Sequence, residues 1–382
     1  MAAAVASQLL AARIHLPAIV PLLAAGVLLG PHVIDAVDPD DLFGDLIDPF
    51  VELAVGVILF EGALLLRRDE LTGGVGQVVL RLVTLGFFVT WAAISLAAAV
   101  LLDFEPRVAI LLGAVLSLSG PTVVLPLLDH VRPTERVGAV LKWEGILIDP
   151  VGAIFAVLAF GAISTGASEF RPDEFALTVG AGIFVGLAAA AVTRGVLRNP
   201  RLSVHLESSS VLAIVLVAVA LASEIRADAG LVAAIAMGLA LAGRREQIEE
   251  KAPDFLSTLT SLLIGILFVT LAARVDPGRV FDLGWAGVAF AAVLILAVRP
   301  VAAVLGTLGT PMTRGERGLI AWMMPRGIVA AATASAFELT LVSQGVEGAE
   351  RLVPATFLIV VATVLVYGVT ARPVARALGV TR

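Results

Sequence analysis

Two carboxylates lie inside one of the most apolar stretches of this sequence. Glu144 and Asp149 stand five residues apart in KWEGILIDPVGAIF, residues 142–155, and Pro150 follows the aspartate. A proline within a helix removes a backbone donor and frees a carbonyl one turn earlier. Carbonyl and carboxylate oxygens are ligands for a hard cation, and a carboxylate also takes a proton. The stretch therefore predicts a site for a monovalent cation or a proton at Asp149.

Hydroxyl groups surround a helix breaker in the preceding apolar segment. Gly120-Pro121 in LSLSGPTVV, residues 116–124, predicts a break, and Ser119 and Thr122 flank it. A second break is predicted in MMPRGIV, residues 323–329. Two interrupted segments in comparable positions of two halves are typical of an inverted-repeat transporter, whose site lies where they cross. The alternative is two ordinary proline kinks.

Ionisable residues within apolar segments are read as functional, because each costs a few kcal/mol at the centre of a bilayer. The sequence contains these: Glu52, Glu61, Arg81, Lys142, Glu144, Asp149, Arg299 and Arg326. Glu52, Arg81 and Lys142 lie close to segment ends. For these three residues we expect helix packing or a side chain that reaches the interface.

The elements that position these residues are predicted to be membrane-spanning helices. The chain has 382 residues, of which 59% are hydrophobic and only 15% charged, and its mean hydropathy is +1.00. Backbone in lipid must satisfy its own hydrogen bonds, which favours an all-α polytopic membrane protein. The apolar segments are 1–12, 17–31, 46–66, 76–102, 107–128, 139–164, 175–193, 207–223, 228–243, 253–273, 284–306, 315–338 and 352–371. The first is too short to cross a bilayer by itself.

Charge alternates between successive loops. One set carries Arg13, Arg67, Arg68, Arg132, Arg136, Arg194, Arg198, Arg201, Arg244, Arg245, Lys251, Arg314, Arg317, Arg372, Arg376 and Arg382. The other set carries Arg107, Arg171, Arg226, Arg274, Arg279 and Arg351, with an acidic stretch at 35–45. By the positive-inside rule, the first set faces the cytoplasm. The N-terminus is then predicted outside the cell and the C-terminus inside.

Five stretches, in this order, resemble the monovalent cation:proton antiporters, in particular the NhaP-type sodium/proton exchangers. They are PAIVPLLAAGVLLGP at 17–31, ILFEGALLL at 58–66, SGPTVV at 119–124, EGILIDPVGA at 144–153 and PRGIVAA at 325–331. The resemblance implies an NhaA-like antiporter fold of about thirteen transmembrane helices in inverted repeats, with two crossed discontinuous helices. It also implies alternating access, homodimers in the plasma membrane, and no soluble domain.

The resemblance further divides the single transmembrane domain, residues 1–382, into two groups of helices. The core helices would be about 76–164 and 284–371, including the broken spans 107–128 and 315–338. The dimerisation or scaffold helices would be about 1–66 and 175–273. Gly26 and Gly30 offer a close-packing face within this second group.

The resemblance assigns roles to individual residues. Asp149 matches the aspartate that exchanges cation for proton, and Glu144 matches a glutamate that pairs with an arginine, here Arg299. Glu61 matches a glutamate that contributes to the ion site. Arg326 matches an arginine of the cytoplasmic-side funnel.

Three positions depart from the family pattern around this site. Gly145 and Ile148 replace a serine and an asparagine, and Gly120 replaces an aspartate between Ser119 and Pro121. The Gly120 carbonyl and the hydroxyls of Ser119 and Thr122 remain as ligands. The expected activity is exchange of Na⁺ for protons, and K⁺ remains the alternative cation.

Two other classes of function are weighed against exchange. A cation channel or uniporter would use the broken helices to line a pore. An intramembrane enzyme is not indicated, because neither His-Glu-x-x-His nor Gly-x-Ser-x-Gly occurs. No cofactor is expected beyond the transported Na⁺ or K⁺ and the proton, and nucleotide-binding glycine patterns are absent. The expected partners are membrane lipid and a second copy of the chain.

Overall fold

The structure is a computed structural model that describes residues 2–14, 18–66, 68–164, 172–198, 204–226, 229–244 and 255–381. Several basic residues used to predict the orientation lie outside these ranges: Arg67, Arg171, Arg201, Arg245, Lys251 and Arg382.

The first half contains ten α-helices in the described residues, nine before the connection at 165–171 and the tenth after it. They are α1 (Ala2–Ile14), α2 (Ile19–Leu29), the short α3 (Pro39–Phe43), α4 (Ile47–Leu64), α5 (Val75–Arg81), α6 (Phe87–Leu101), α7 (Pro106–Ser117), α8 (Pro121–Val131) and α9 (Glu135–Ser164), with α10 (Pro172–Leu197) following that connection. A π-helical turn, Leu82–Gly86, joins α5 to α6, and a 3₁₀ turn, Arg68–Leu71, precedes α5. Proline at the first position of α7 and α8 suits a helix start, where its missing N–H costs no hydrogen bond.

The second half continues with helices of similar character. They are α11 (Val204–Ile225), α12 (Ala229–Leu241), α13 (Phe255–Ala273), the short α14 (Pro277–Phe281), α15 (Gly284–Val293), α16 (Arg299–Thr307), α17 (Arg314–Trp322), α18 (Ile328–Ser343) and α19 (Leu352–Ala377). A π-helical turn, Leu294–Val298, joins α15 to α16. Thr313 begins α17 with a capping box, in which its hydroxyl and the Glu316 carboxylate satisfy each other's backbone N–H groups.

The chain is an all-helical polytopic membrane protein. Among the described residues, seven helices are long and apolar enough to cross a membrane. An eighth span is obtained when α7 and α8, which meet at an angle of 45°, are counted as one. The remaining apolar helices are shorter, and α1, α2, α12 and α18 belong to this class.

The same succession of elements occurs in both halves. A helix interrupted by a π-helical turn comes first, at 75–101 and again at 284–307. A helix broken by extended backbone follows, at residues 118–120 and again at 323–327. A long helix with an internal proline closes each series, with Pro150 in α9 and Pro373 in α19. The two breaks fall where the proline and glycine residues predict them.

The helices pack in two groups. In one, α12 packs against α4, α10 and α11, and α13 packs against α2 and α4. In the other, α9 contacts α5, α7, α8 and α17, and α19 contacts α18. Gly26 of α2 faces α13 so closely that a Cβ atom there would lie 2.6 Å from the Ala272 Cβ. The close-packing face of Gly26 and Gly30 is therefore used inside the chain, against α13.

Candidate cation and proton site

The two breaks meet each other in the interior of the protein. The Ser119 hydroxyl, in the first break, donates a hydrogen bond of 3.1 Å to the carbonyl oxygen of Pro325, in the second. A Cβ atom added to Gly327 would lie 2.9 Å from the Gly120 backbone nitrogen, so the two extended segments touch at their glycines. The crossing brings two helix N-termini, of α8 and α18, and two helix C-termini, of α7 and α17, into the centre of the molecule.

Asp149 lies beside this crossing, near the middle of α9. Its side chain is 0% exposed, and neither carboxylate oxygen has a hydrogen-bond partner among the described residues. A buried charge without a partner is costly, and the carboxylate is stabilised when a proton or a cation neutralises it. The geometry therefore leaves both oxygens of Asp149 available to an incoming ion.

Gly120 and Thr122 are the residues of the break that face this carboxylate. From an ideal Cβ position on Gly120, the Asp149 Oδ2 and the Thr122 Oγ1 are each 3.3 Å away. The two oxygens are consequently no further apart than twice that distance. The Thr122 hydroxyl is also buried and has no hydrogen-bond partner among the described residues. The absence of a side chain at Gly120 thus leaves a small space bordered by two unpartnered oxygens.

Gly145 and Ile148, the two residues of α9 that depart from the family pattern, are packed in apolar surroundings. Gly145 packs against Val124 of α8, where a Cβ atom would lie 3.0 Å from a Val124 methyl group. Ile148 is 1% exposed and belongs to the hydrophobic core. A side chain at 145 would press on the Val124 side chain, which would have to shift.

Glu144 and Arg299 form an ion pair that is almost fully buried. The Arg299 Nη1 lies 2.5 Å from the Glu144 Oε1, and the Nη2 lies 2.9 Å from the Oε2. The Arg299 Nε donates a third hydrogen bond, of 2.8 Å, to the carbonyl of Ile320 in the last turn of α17. Arg299 therefore ties α9 to the carbonyl end of a half-helix, where positive charge is favourable. This bidentate ion pair uses both carboxylate oxygens of Glu144.

Arg326 is buried in the second break, and its role in a cytoplasmic-side funnel stays a prediction. Its side chain is 2% exposed, and its Nη1 donates a hydrogen bond of 3.3 Å to the carbonyl of Leu118, at the end of α7. Its backbone N–H donates to the Thr363 hydroxyl of α19. The Arg326 side chain points inward from the extended backbone of the break. Each of the two half-helix C-termini at the crossing therefore lies beside a guanidinium group, α7 beside Arg326 and α17 beside Arg299.

Glu61 is in the last turn of α4. The neighbouring Gly62 faces Ile146, three residues before Asp149. Glu61 is partly buried and has an interaction of its own. It does not hydrogen-bond to Asp149, whose oxygens have no partner among the described residues.

Lys142 makes more hydrogen bonds to the rest of the protein than its position near a segment end predicts. Its Nζ lies 2.6 Å from the Glu70 Oε1 and donates to the Leu65 carbonyl at 3.3 Å. The indole N–H of Trp143 donates to the other oxygen of Glu70, at 3.2 Å. A sequence signal for Lys142 exists, since it stands seven residues before Asp149 and therefore on the same helix face. No such signal marks Glu70, whose partners come from a distant part of the chain.

The arrangement can be compared with known proteins. The family model described as "Sodium/hydrogen exchanger, transmembrane" matches residues 1–377. The chain is 25% identical over 371 residues to the K(+)/H(+) antiporter NhaP2 of Shewanella sp. strain ANA-3, covering 95% of this chain and 63% of that protein. It is also 25% identical over 342 residues to Na(+)/H(+) antiporter 1 of Methanocaldococcus jannaschii, covering 85% of this chain and 78% of that protein.

A solved structure has the same fold. The structure of the sodium proton antiporter MjNhaP1 from Methanocaldococcus jannaschii, at pH 8, matches with a TM-score of 0.82 at 23% sequence identity. The match covers 98% of this chain and 96% of that one. The chain spans less than two thirds of the length of NhaP2, whereas it matches nearly all of the MjNhaP1 structure. With the family model covering nearly its full length, the chain belongs to the transmembrane sodium/hydrogen exchanger family.

Proposed function

We propose that this protein is a secondary active transporter that exchanges protons for a monovalent cation by alternating access. Asp149 binds either the proton or the cation, and oxygens from Ser119, Gly120 and Thr122 complete the cation site. Glu61 supplies a further carboxylate on the α4 side. The activity is transport rather than catalysis, and its physiological role is control of cytoplasmic pH and cation content.

The observation that carries this proposal is the unpartnered, fully buried carboxylate of Asp149 at the crossing of two broken helices. Such a group holds a proton or a cation but not both, because either one neutralises it. If the core moves between its two orientations only when the carboxylate is neutral, the two fluxes are coupled. Exchange through one carboxylate gives one proton for one monovalent cation, and no net charge crosses the membrane.

Sodium is the favoured cation, and potassium is the second candidate. The Methanocaldococcus relative is named as a Na(+)/H(+) antiporter, and the Shewanella relative as a K(+)/H(+) antiporter. The apolar packing of Gly145 and Ile148 removes two polar groups from the neighbourhood of Asp149. Fewer oxygen ligands favour the cation that is easier to dehydrate, and this packing is the reason that K⁺ is kept as the second candidate.

The proposed architecture is an NhaA-like fold of thirteen membrane-spanning segments in inverted repeats. Both halves contain a helix with a π turn, a broken helix and a long helix, which supports this arrangement. We place α5–α9 and α15–α19 in a mobile core, and α1–α4 and α10–α13 in a scaffold that dimerises in the plasma membrane. The positive-inside rule supports an external N-terminus and a cytoplasmic C-terminus.

Proteoliposomes with an internal pH dye test the proposal. Adding Na⁺, K⁺ or Li⁺ outside should drive proton flux that saturates with cation concentration, and Asp149→Asn should abolish that flux because an amide cannot exchange a proton. The variant should remain folded, since Asp149 makes no hydrogen bond among the described residues that asparagine would lose. Exchange that persists in Asp149→Asn would refute the assignment. Conductance that does not depend on protons would instead favour a channel.

A further inference from the structure

A polar cavity of about 900 Å³ lies at the arginine-rich end of the molecule. It is bordered by the 3₁₀ turn before α5, the end of α8 and the first turns of α9, with charged residues of both signs in its wall. Asp69, Glu70, Asp129, Arg132, Arg136 and Lys142 all contribute to its wall. Lys142 is the lining residue that stands furthest along α9 towards Asp149.

Lys142 stands between this cavity and the proposed ion site. Seven residues separate it from Asp149, which corresponds to two helical turns and a rise of roughly 10 Å along the same face of α9. That face packs against α4, because Ile146 contacts Gly62 midway between the two residues. Ile146 is therefore packed between Lys142 and Asp149, and Lys142 marks the inner limit of the cavity along α9.

The contacts of Lys142 join the two groups of helices. Its ammonium group bonds to the Leu65 carbonyl, at the end of α4, and to Glu70, in the connection from α4 to α5. Trp143 holds the second oxygen of the same carboxylate. The side chains of Lys142 and Glu70 are only 17% and 24% exposed, so this pair is shielded better than a surface pair. The Leu65 bond ties the helix that carries Asp149 to the end of α4, and the Glu70 pair ties it to the connection that follows α4.

We propose that Glu70 and Lys142 are positioning residues of the transport cycle, because their ion pair holds Lys142 against the end of α4 and joins α9 to the connection between α4 and α5, which lines the cavity. This inference rests on the proposed function, in which α9 and α4 move relative to each other. A contact present in one orientation and absent from the other shifts the equilibrium towards the first. The loss of the pair should therefore depopulate the orientation described here.

Single-cysteine labelling measures this population without any need for transport, since the natural sequence contains no cysteine. Ala139 lines the cavity and is 6% exposed, so Ala139→Cys reports how often water reaches that wall. Labelling of the purified protein by a polar thiol reagent would be compared in Glu70→Gln, Lys142→Gln and the charge exchange Glu70→Lys with Lys142→Glu. Asp129→Asn is the matched control, because it removes a negative charge from the same cavity.

Glu70→Gln and Lys142→Gln should each slow labelling about two- to fivefold, the range that partly exposed ion pairs support. They should also raise the half-saturating cation concentration on the cavity side and leave the maximal rate unchanged or higher. The charge exchange should partly restore both quantities, whereas Asp129→Asn should leave labelling unchanged. Lys142→Arg keeps the charge and should be labelled at the native rate. It shows whether a change of side chain at this position prevents folding by itself.

Equal labelling in native protein and Glu70→Gln would overturn the inference. An identical response of Glu70→Gln and Asp129→Asn would do so too, because it would reduce the effect to the charge of the cavity. If the native protein shows no cation-driven proton flux, the proposed function fails. The labelling rates would still decide whether the pair controls access to the cavity.

Discussion

Asp149 combines complete burial with a carboxylate that has no hydrogen-bond donor among the described residues. Glu144, one and a half turns earlier on the same helix, is equally buried, yet a guanidinium occupies both of its oxygens. Two identical functional groups at membrane depth thus acquire different roles from their neighbours. The paired carboxylate is a structural connection, and the unpartnered one is available to exchange ligands.

The space beside Asp149 predicts the effect of the smallest possible side chain at Gly120. A methyl group there would lie 3.3 Å from both the Asp149 Oδ2 and the Thr122 Oγ1, where a cation would bind. Gly120→Ala should raise the half-saturating cation concentration about tenfold or more, equivalent to about 1.4 kcal/mol. Titration of cation-driven proton flux in proteoliposomes measures this change.

Folding should be affected little by this substitution. The backbone of Gly120 has φ −79° and ψ 149°, which alanine adopts readily, so a change in the melting temperature is not expected. Gly180→Ala, in α10, is the matched control, since a Cβ atom there meets nothing within 4 Å. Unchanged cation affinity in Gly120→Ala would show that the ion does not bind beside this glycine.

The residue types in the sequence predict Asp149, Gly120 and Thr122 as neighbours, because proline and glycine indicate where a helix is interrupted. For Lys142, the spacing predicts only a helix face shared with Asp149, and the residue otherwise resembles any basic residue near the end of a span. Its role depends on Glu70 and Leu65, brought to it by the packing of α4 against α9. The residue types also do not reveal the hydrogen bond from Arg326 to the Leu118 carbonyl, which depends on how the two breaks meet.

At the scale of helices, the crossing places four helix ends in the interior, and three of them lie beside a group of opposite charge. The carbonyl end of α7 receives Arg326, and the carbonyl end of α17 receives Arg299. The N-terminus of α8, at Pro121, lies beside the Asp149 carboxylate, where a negative group is favourable. Guanidinium groups at the C-termini and a carboxylate at an N-terminus make this arrangement of broken helices electrostatically consistent.

Hydropathy does not predict the π-helical turns at Leu82–Gly86 and Leu294–Val298. An apolar segment has the same hydropathy whether or not one of its turns contains an extra residue. The second of these turns ends directly before Arg299. It therefore sets the rotation of α16 that aims the guanidinium at Glu144 and Ile320. The periodicity of the sequence locates the helix, while tertiary contacts decide where its register shifts.

Glu144→Gln should destabilise the assembly of α9, α16 and α17. Removing one charge leaves the Arg299 guanidinium buried without a counter-charge, at a cost of about 3–5 kcal/mol. The melting temperature of the purified protein measures the loss. Exchanging the charges, with Glu144→Arg and Arg299→Glu, should restore only part of it, because the Ile320 carbonyl would lose its donor.

Glu105→Gln is the control for this prediction. Glu105 and Arg107 also form an ion pair, of 4.0 Å, but their side chains are 41% and 68% exposed. Water screens such a pair, so its loss should leave the melting temperature unchanged. An equally small effect of Glu144→Gln would mean that the buried pair does not hold these helices together.

For the molecule as a whole, the two groups of helices share an interface in which Gly62 packs on Ile146 and Lys142 bonds to Leu65. The broken helices lie on one side of it, and the glycine-rich contact of α2 with α13 lies on the other. In the proposed mechanism, this division places the ion site next to the surface along which the core moves.

Whether each broken helix crosses the membrane or returns to the same side determines the topology of the whole chain. If both cross, Glu105 and Gln344 face the outside, while Glu135 and Arg314 face the cytoplasm. All four positions are on the surface, so cysteines introduced there singly into a cysteine-free chain can be labelled. In intact cells, an impermeant thiol reagent should label the first two, and it should label the other two only after permeabilisation. Labelling of Glu105→Cys and Glu135→Cys from the same side would make the first broken helix re-entrant, and the alternation of loop charge would then need another explanation.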